Sequence, residues 1–306
     1  MRVGVIGTGV MGKNHLRVYS ELKEVEEVFA FDVDRERVKG VEKNGINVCN
    51  SMEELLDLVD AVSICVPTRY HYEVAERVIK SGISCLIEKP IALTAREGEE
   101  LVKLIDESSG LIVGVGHIER FNPIVKVIKN MIKRPLYVEI KRHNPTSARI
   151  TDSTIVEDLM IHDIDIVFNV LFEGDYKITS AGNGDLCTAL IKFDPSIVSL
   201  SVSRKASKKI RSIYIEEEDF TVEGDFMNQE VYVYRKPEKY GMENGGRYTQ
   251  ENIIEKVLVN KIEPLKEELR TFIRCVRDGR AFTITPIQGL NNLKICEEIK
   301  RLNGIL

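Results

Sequence analysis

The first third of the chain alternates short apolar runs with amphipathic stretches, and this alternation predicts strands and helices in turn. The apolar runs carry few polar residues, which is typical of parallel strands covered by helices on both faces. The predicted strands are 3–6, 28–32, 47–49, 61–66, 84–87 and 111–116, and the predicted helices are 13–22, 35–44, 72–81, 95–108 and one that begins after Ser51. The pattern therefore predicts an α/β domain with a doubly wound parallel sheet over residues 1–118.

After about residue 119 the pattern changes to period two, which predicts strands with one buried and one exposed face. The predicted strands are 136–143, 178–180, 188–193, 197–203, 212–217 and 230–234, with a hairpin turn at Asp194-Pro195-Ser196. The predicted helices are 122–133, 156–171, 264–278 and 288–302, and the segments 144–154 and 237–248 are predicted loops. These elements predict a second α/β domain over 119–306, with a large, open-faced, mostly antiparallel sheet. As an alternative, the last helix packs back on the first domain.

Composition and charge exclude several classes of protein. With 43% hydrophobic and 30% charged residues among 306, the chain is typical of a globular protein with one large or two ordinary domains. The net charge of −5 supplies no basic patch, so we expect no nucleic-acid partner. No apolar run approaches the length of a membrane span and a strand starts the chain, so we expect neither a membrane partner nor a signal peptide. The six cysteines form no CxxC pair, and we expect reduced thiols, no metal site and a cytoplasmic location.

A glycine-rich turn directly follows the first predicted strand and leads into the first predicted helix. It reads Gly7-Thr8-Gly9-Val10-Met11-Gly12. Gly7 permits a tight turn, Gly9 lets the backbone approach a pyrophosphate, and Gly12 lets the helix pack close to the strand. The positive N-terminal end of the helix then faces the phosphates. In this strand–turn–helix context, the six residues predict the dinucleotide site of a Rossmann domain.

Asp32 ends the second predicted strand, 20 residues after Gly12, where Rossmann domains carry the carboxylate that binds the adenosine ribose. A carboxylate there accepts hydrogen bonds from both ribose hydroxyls and repels a 2′-phosphate. We therefore expect NAD rather than NADP, although Arg35 and Arg37 are close enough in the sequence to leave NADP open. The ordinary alternative is a surface aspartate beside an unspecialised glycine loop.

Candidate catalytic groups occur at the end of another predicted strand and on a helix of the second domain. Lys89, in the tripeptide Glu88-Lys89-Pro90, supplies a titratable amine at the carboxyl end of a parallel strand, where doubly wound sheets bind ligands. Asp158 and His162 are spaced i, i+4, which puts both on one helix face, and Asp165 extends that face. Histidine suits the role of a general base because its ordinary pKa is near neutrality.

Each of these residues also has an ordinary alternative. Lys89 could be a solvated surface lysine, and Asp158 could lie in a first helical turn only because the helix dipole favours a carboxylate there. His162 could be a packed core histidine. For His15, one turn into the first predicted helix, we expect a packed helix residue rather than a catalyst.

Taken in order, these motifs resemble the glucose–fructose oxidoreductase, inositol dehydrogenase and rhizopine catabolism family over essentially the whole chain. The matching segments are the glycine turn, Pro67-Thr68-x-x-His71, Glu88-Lys89-Pro90, Arg120-Phe121-Asn122-Pro123 and the run from Asp158 through His162 to Asp165. The resemblance implies an NAD-dependent dehydrogenase of sugars or cyclitols, joined through its open sheet face into a homodimer or homotetramer. It also implies a cis bond before Pro90, and it implies these site residues: Lys89, Asp158 and His162 for catalysis, and Pro67, Thr68, His71, Glu88 and Lys89 as further cofactor contacts.

The run from Arg149 to Asp165 resembles the subgroup of this family that oxidises the 3-hydroxyl of UDP-N-acetylglucosamine. Arg120, Arg142 and Arg149 could bind a diphosphate, because a guanidinium matches phosphate geometry, but each could equally be a surface charge or pair with a carboxylate. The substrate contacts expected on this hypothesis are Lys89, Arg120, Arg149, Asp158 and His162. Two alternatives stay open, namely an inositol or free-sugar dehydrogenase and a non-catalytic sensor of dinucleotide and sugar.

Overall fold

A computed structural model describes residues 1–41, 45–145, 153–236, 240–243, 247–250 and 253–304. The chain splits into two compact units, one formed by Met1–Phe121 with Glu263–Glu297 and the other by Asn122–Ile262 with Glu298–Leu306. The sequence predicts a break after residue 118 and a second domain that continues to 306. In the structure the break follows Phe121, and the chain returns to the first unit at Glu263, so the first unit is discontinuous in sequence.

The first unit contains a six-stranded sheet. Its strands are β1 (Arg2–Ile6), β2 (Glu27–Phe31), β3 (Asn47–Val48), β4 (Ala61–Ile64), β5 (Ser84–Glu88) and β6 (Val113–Gly116). They lie in the order β3-β2-β1-β4-β5-β6, and every neighbouring pair is parallel. All residues of β4 and β5 are buried, as expected for a sheet covered on both faces. The predicted doubly wound parallel sheet is therefore confirmed.

Helices alternate with these strands: α1 (Val10–Glu21), α2 (Arg35–Val38), α3 (Met52–Leu58), α4 (His71–Lys80) and α5 (Ala95–Glu107). Ser51 caps α3 by accepting the Glu54 N–H at 3.1 Å, and Thr94 forms a capping box with Glu97 at the start of α5. The predicted helix 35–44 is wrong in its length, because α2 ends at Val38. Gly40 has a φ of +90°, a left-handed conformation that stops a right-handed helix.

The second unit is built on an eight-stranded sheet. Its strands, with a separate two-stranded ribbon, are β7 (Tyr137–His143), β8 (Lys177–Gly182), β9 (Leu186–Phe193), β10 (Ser196–Ser203), β11 (Ile210–Glu216), β12 (Phe220–Asp225), β13 (Glu230–Arg235), β14 (Tyr240–Glu243), β15 (Arg247–Gln250) and β16 (Ile254–Val257). The large sheet has the order β16-β13-β12-β11-β7-β10-β9-β8, and β14 pairs with β15. Only β7 and β10 pair in parallel among its neighbouring strands, so the predicted mostly antiparallel sheet is confirmed.

Two helical segments of this unit are α6 (Pro123–Met131) and α7 (Ile161–Ile166). Asn122 caps α6, and its side-chain amide also donates to the Phe226 carbonyl at 2.9 Å. Wider π-helical turns, Val156–Met160 and Val167–Leu171, flank α7 on both sides. The predicted helix 156–171 therefore exists, but only its middle has α-helical geometry.

One face of the large sheet is exposed and carries apolar side chains. Strand β9 alternates strictly between buried and exposed positions. Leu186, Leu190 and Ile197 on β9 and β10 are each between 46% and 49% exposed. The expectation that this face joins subunits stays a prediction, which sedimentation of the purified protein would check.

Four strands of the second unit, β12, β14, β15 and β16, were not predicted. Strand β12 contains a glycine and two carboxylates, which are residue types depleted in strands, and pairing with β11 and β13 overrides that preference. Strand β16 is a short partner of β13. The prediction of a loop over 237–248 is wrong where β14 and β15 pair as an antiparallel ribbon. The glycine and charged residues of this segment are typical of a loop and gave no signal of strands.

The chain closes with α8 (Pro264–Asp278) and α9 (Pro286–Asn303), close to their predicted limits. Leu265, Leu269, Phe272 and Ile273 of α8 join the apolar core of the first unit. Full burial of such side chains contributes about 1.5–3 kcal/mol each. Helix α9 has residues in both units, with Pro286–Glu297 in the first and Glu298–Asn303 in the second.

The six cysteines are buried free thiols, as predicted. Burial raises the pKa of Cys49 to about 11 and that of Cys85 to about 12, so these thiols are poor nucleophiles. In the described part of the chain, no helix combines the length and apolar character that a membrane span requires.

Candidate active site

The glycine turn has the geometry that the sequence predicts. Gly7 has a φ of +90°, and a methyl group there would lie 2.8 Å from the Cys65 carbonyl group. A methyl group at Gly12 would lie 1.9 Å from the carbonyl oxygen of Gly7, so helix α1 packs directly on the backbone of the turn. At Gly9 the nearest atom to such a methyl is a guanidinium nitrogen of Arg37 at 3.9 Å. The outer side of Gly9 is therefore open at the N-terminus of α1, where a pyrophosphate could bind.

Asp32 follows β2 and is held by backbone and side-chain donors. Its Oδ2 accepts the Thr8 N–H at 2.7 Å and the Thr8 hydroxyl at 3.0 Å, and its Oδ1 accepts the Asp34 N–H at 2.9 Å. Both oxygens have further acceptor capacity, since a carboxylate offers about four lone-pair positions. The carboxylate is thus oriented beside the glycine turn and could bind ribose hydroxyls.

Exposed apolar side chains lie next to these groups. Val10 opens α1 and is 65% exposed, while Met11 is half-buried. Val33, directly after Asp32, is 89% exposed. Sequence reasoning missed Val33, although its place next to the ribose carboxylate is a signal that could have found it. An exposed valine at this position could pack against a flat base.

Arg35 and Arg37, which left NADP open, both have partners on the protein. Arg35 donates to the side-chain and backbone oxygens of Asn50, each at 3.0 Å. Arg37 pairs with Asp34 at 3.3 Å. Both guanidinium groups are thus engaged by groups other than the carboxylate of Asp32.

His71 connects the loops that follow β4 and β5. Its Nδ1 lies 2.7 Å from the carbonyl oxygen of Pro90, its Nε2 lies 3.0 Å from that of Val66, and the side chain is 1% exposed. Burial lowers the pKa of His71, and the hydrogen bonds to the two carbonyl groups only partly oppose that shift. Because both ring nitrogens contact backbone, the histidine acts on this site through the two loops. Pro67 and Thr68, also expected at the cofactor, lie at the start of the same loop.

The tripeptide Glu88-Lys89-Pro90 stands at the carboxyl end of β5. The Lys89–Pro90 peptide bond is cis, as the family resemblance implied. Lys89 is half-buried, whereas Glu88 is buried and contacts Nε2 of His15 at 2.8 Å. Burial raises the pKa of the Glu88 carboxyl, but the hydrogen bond to His15 and the attraction of His15 and Lys89 outweigh it, and the net shift is downward. The tripeptide therefore combines a half-buried amine with an interior carboxylate.

In the second unit, the first π-helical turn carries Asp158, and α7 carries His162. The backbone N–H of Ile161 reaches back to the carbonyl oxygen of Val156, which widens the helix between the two side chains. Asp158 is buried and His162 half-buried. Such π-helical turns are rare and frequently occur at functional sites. The sequence predicted a plain α-helix here, since the pattern of apolar residues does not distinguish the two geometries.

Arg204 is a further residue of this group that sequence reasoning missed. It follows β10, and its Nη2 donates to Oδ2 of Asp158 at 3.0 Å and to the Ser153 carbonyl oxygen at 3.2 Å. The two side chains are 16% and 10% exposed, so solvent screens this pair less than a surface ion pair. Since 46 positions separate the partners, no local sequence signal connects them. The arginine orients the carboxylate of Asp158.

The neighbours of Asp158 and His162 on the same helix have structural partners. Glu157 accepts from the backbone and hydroxyl of Thr154 and pairs with Lys300. Asp165 is fully buried and accepts from Asn169 at 3.2 Å. The expectation that Asp165 extends the reactive face is not supported by this interior position.

Arg142 does not have the exposure that diphosphate binding would need. It is 1% exposed, and its guanidinium forms a forked contact with Asp163, with Nη2 to Oδ1 at 2.7 Å and Nε to Oδ2 at 3.2 Å. Of the alternatives that the sequence left open for Arg142, the pair with a carboxylate is the one observed. The buried carboxylate of Asp163 neutralises it, and removal of one partner of such a pair costs about 3–5 kcal/mol.

Of the other two candidate arginines, the structure describes Arg120 but not Arg149. Arg120 lies in a short helical turn, where its Nη1 donates to Gln288 Oε1 at 2.9 Å and more weakly to the Thr283 carbonyl oxygen at 3.4 Å. Arg149 and Asp152 lie outside the described residues. Within the described ranges, no cluster of three or more His, Cys, Asp or Glu residues could hold a metal ion.

A parallel sheet with a glycine turn after its first strand and an acidic residue after its second strand is the arrangement of dinucleotide-binding Rossmann domains. The family described as "Oxidoreductase family, NAD-binding Rossmann fold" matches residues 1–117. UDP-N-acetylglucosamine 3-dehydrogenase of Acidithiobacillus ferrooxidans is 30% identical over 244 residues, which are 77% of this chain and 77% of that protein. The chain therefore belongs to the glucose–fructose oxidoreductase, inositol dehydrogenase and rhizopine catabolism family. It is a dehydrogenase that acts on CH–OH groups.

Further comparisons cover more of the chain or other members of the family. A solved structure of the Acidithiobacillus ferrooxidans enzyme superposes with a TM-score of 0.86 at 28% identity, covering 99% of this chain and 97% of that one. Inositol 2-dehydrogenase of Cereibacter sphaeroides is 29% identical over 177 residues, which are 55% of this chain and 53% of that protein. The similarity to the first enzyme thus extends over both units.

Gly9 and Gly12, two of the three glycines of the turn, make a matched test of cofactor binding. We expect Gly12→Ala to destabilise the fold by about 1–3 kcal/mol, because its methyl group would meet the Gly7 carbonyl oxygen. Gly9→Ala should leave the unfolding temperature unchanged and weaken NADH about tenfold, equivalent to the loss of about 1.4 kcal/mol of binding. Thermal unfolding and NADH fluorescence titration measure the two effects. Wild-type NADH affinity in Gly9→Ala would contradict a pyrophosphate site at this turn.

Proposed function

We propose that this protein is an NAD-dependent dehydrogenase that oxidises the 3-hydroxyl of UDP-N-acetylglucosamine or a related nucleotide sugar. The observation that carries the reaction class is Lys89, a half-buried amine at the carboxyl end of β5 in the cofactor-binding unit. The substrate class is supported by the similarity to UDP-N-acetylglucosamine 3-dehydrogenase in sequence and in fold.

In the proposed reaction, the C–H bond at the reacting carbon breaks as a hydride and the O–H bond gives up a proton. Bound NAD supplies the hydride acceptor. His162 takes the hydroxyl proton, and the secondary alcohol becomes a ketone. Lys89 hydrogen-bonds the reacting oxygen. Asp158, oriented by Arg204, either holds the imidazole of His162 or binds the substrate.

The cofactor in this proposal is NAD rather than NADP. Asp32 follows β2 beside the glycine turn, with its carboxylate held by Thr8, and a negative charge next to the ribose would repel a 2′-phosphate. The two nearby arginines have their own partners, Asn50 and Asp34. These contacts support NAD.

Asp32→Ser tests the choice of cofactor. We expect it to weaken NAD about 10-fold or more, since hydrogen bonds to a charged group contribute about 1.5–3 kcal/mol, and to narrow the gap to NADP. Glu36→Gln is the matched control, because it removes a neighbouring charge that pairs with Lys39 and not with Asp32 or either arginine. Dissociation constants for NADH and NADPH measure the effect. A wild-type protein that binds NADPH more tightly than NADH would overturn the assignment.

Substitutions at Lys89 and His162 test the proposed catalytic roles. Lys89→Met should leave NADH affinity nearly intact and lower kcat by at least ~100-fold, the low end of general acid–base effects. His162→Asn should lower kcat similarly and flatten the acid limb of the pH profile, because the titrating base is gone. Steady-state kinetics and NADH titration separate turnover from binding. Near-normal turnover in Lys89→Met would show that the lysine is only part of a binding surface.

A substrate panel distinguishes the proposed substrate from the alternatives. NAD should be reduced with UDP-N-acetylglucosamine and not with myo-inositol or glucose, and UDP alone should inhibit. Arg149→Ala should raise KM more than it lowers kcat, because a diphosphate contact is equal in ground and transition states. Absorbance of the reduced nicotinamide reports turnover. Robust activity on inositol or glucose without inhibition by UDP would reject the nucleotide sugar, and binding without any turnover would favour a sensor.

A further inference from the structure

We propose that His15 is a positioning residue for Lys89, acting through the buried carboxylate of Glu88. The inference rests on the proposed role of Lys89 in catalysis. His15 lies on α1, the helix that starts at the glycine turn, and Glu88 directly precedes the lysine at the end of β5. Sequence reasoning assigned His15 only a packing role.

The contacts form a short chain from helix α1 to the backbone of Lys89. Nε2 of His15 lies 2.8 Å from Oε1 of Glu88, and the imidazole is completely buried. The other carboxylate oxygen, Oε2, accepts the backbone N–H of Lys89 at 3.2 Å. Each oxygen of the Glu88 carboxylate therefore has a donor. One donor is the imidazole of His15, and the other is the backbone N–H of Lys89, the residue to be positioned.

The space around this carboxylate leaves it little freedom. Glu88 pairs with Gly116 across β5 and β6, and a methyl group at Gly116 would lie 3.3 Å from the carboxyl carbon and from Oε1. The glycine thus makes room for the carboxylate on the neighbouring strand. On the other side, His15 meets the ring of Tyr19 edge-on, with centroids 6.2 Å apart. The position of Glu88 is set by packing as well as by hydrogen bonds.

A hydrogen-bond donor at position 15 is required by the burial of the carboxylate. An ionised carboxyl group away from water is costly unless donors satisfy it. A carboxylate can only accept, so Nε2 of His15 must carry the hydrogen. Without that donor, Glu88 would take a proton or turn away, and the Lys89 N–H would lose its acceptor. A displacement of about 1 Å at a reacting group can cost about 100-fold in rate.

The pair also connects two functions of the first unit. Helix α1 is fixed on the glycine turn by the contact between Gly12 and Gly7, and the same helix carries His15. The position of Lys89 is thereby fixed relative to helix α1, whose N-terminus faces the proposed cofactor position. Rigid elements of this kind hold reactive groups more exactly in place than loops do.

Three substitutions separate positioning from general stability. His15→Leu removes the donor and keeps an apolar side chain of similar size, and His15→Gln restores an amide donor near the place of Nε2. Tyr19→Phe is the matched control: it removes another buried hydrogen bond of α1, to Ser63 at 2.7 Å, without touching Glu88. Each is made in the wild-type protein and in Lys89→Met.

We expect His15→Leu to lower kcat by about 10–100-fold, while KM and NADH affinity stay within about threefold of wild type. His15→Gln should recover most of the turnover, and Tyr19→Phe should keep it. In the Lys89→Met background, His15→Leu should cause no further loss, because it acts through the lysine. The Lys89 amide, followed by NMR, should exchange at least about tenfold faster with solvent in His15→Leu and at the wild-type rate in His15→Gln.

The outcomes distinguish failure of this inference from failure of the proposed function. If Lys89→Met loses turnover but His15→Leu behaves like Tyr19→Phe, the positioning role is wrong and the catalytic role of Lys89 stands. If Lys89→Met keeps turnover, the catalytic role itself is wrong. Amide exchange tests the contact chain from His15 through Glu88 to the Lys89 N–H without any substrate. An unchanged exchange rate of the Lys89 amide in His15→Leu overturns the inference.

Discussion

The close packing of helix α1 on the backbone before it is the contact on which the cofactor-binding unit depends. A methyl group at Gly12 would lie 1.9 Å from the Gly7 carbonyl oxygen, so no residue with a side chain fits there without moving the helix. The position of α1 sets the open N-terminus at Gly9 and brings His15 onto Glu88. The turn also aims the N–H of Thr8 at Asp32. One backbone contact therefore determines the placement of groups that are far apart in sequence.

Both units contain buried carboxylates that hydrogen bonds or ion pairs hold in place, and each carboxylate has a different kind of partner. Glu88 has a histidine and a backbone N–H, Asp158 has the partly exposed Arg204, and Asp163 has the fully buried Arg142. The same physical rule, that a buried charge needs a donor or counter-charge, applies to all of them. Only exposure and position separate the Arg142–Asp163 pair, which stabilises the fold, from the contacts beside the candidate catalytic groups.

Much of the fold was predictable because local patterns agree with tertiary packing. The continuous apolar runs of β4 and β5 and the capping residues Ser51 and Thr94 need no distant partner to be recognised. Strand β12 was missed because its glycine and carboxylates are acceptable only between two paired strands. The length of α2 depended on the conformation of Gly40, which no apolar periodicity reveals.

The residues of the candidate site also fall into those that a sequence motif predicts and those that depend on distant partners. Gly7 and Gly12 were predictable from a motif in which neighbours in sequence are neighbours in space, and Asp32 was predictable from its characteristic spacing after that motif. Arg204 and the role of His15 were not, since their partners lie 46 and 73 positions away. The alternatives for Arg142 stayed open for the same reason: an arginine in the sequence carries no sign of the buried aspartate that it pairs with in the fold. Ion pairs between distant positions are a property of the folded chain.

The discontinuity of the first unit has a consequence for the order in which the protein is made. Ribosomes release a chain from its N-terminus, so the parallel sheet of residues 1–121 emerges first. Its core nevertheless includes Leu269, Phe272 and Phe282 from near the other end of the chain. Most of the second unit, from Asn122 to Ile262, is synthesised before these residues. The core of the cofactor-binding unit is thus begun first but closed only after these 141 residues have been made, and the apolar surface that Leu269, Phe272 and Phe282 cover stays uncovered until then.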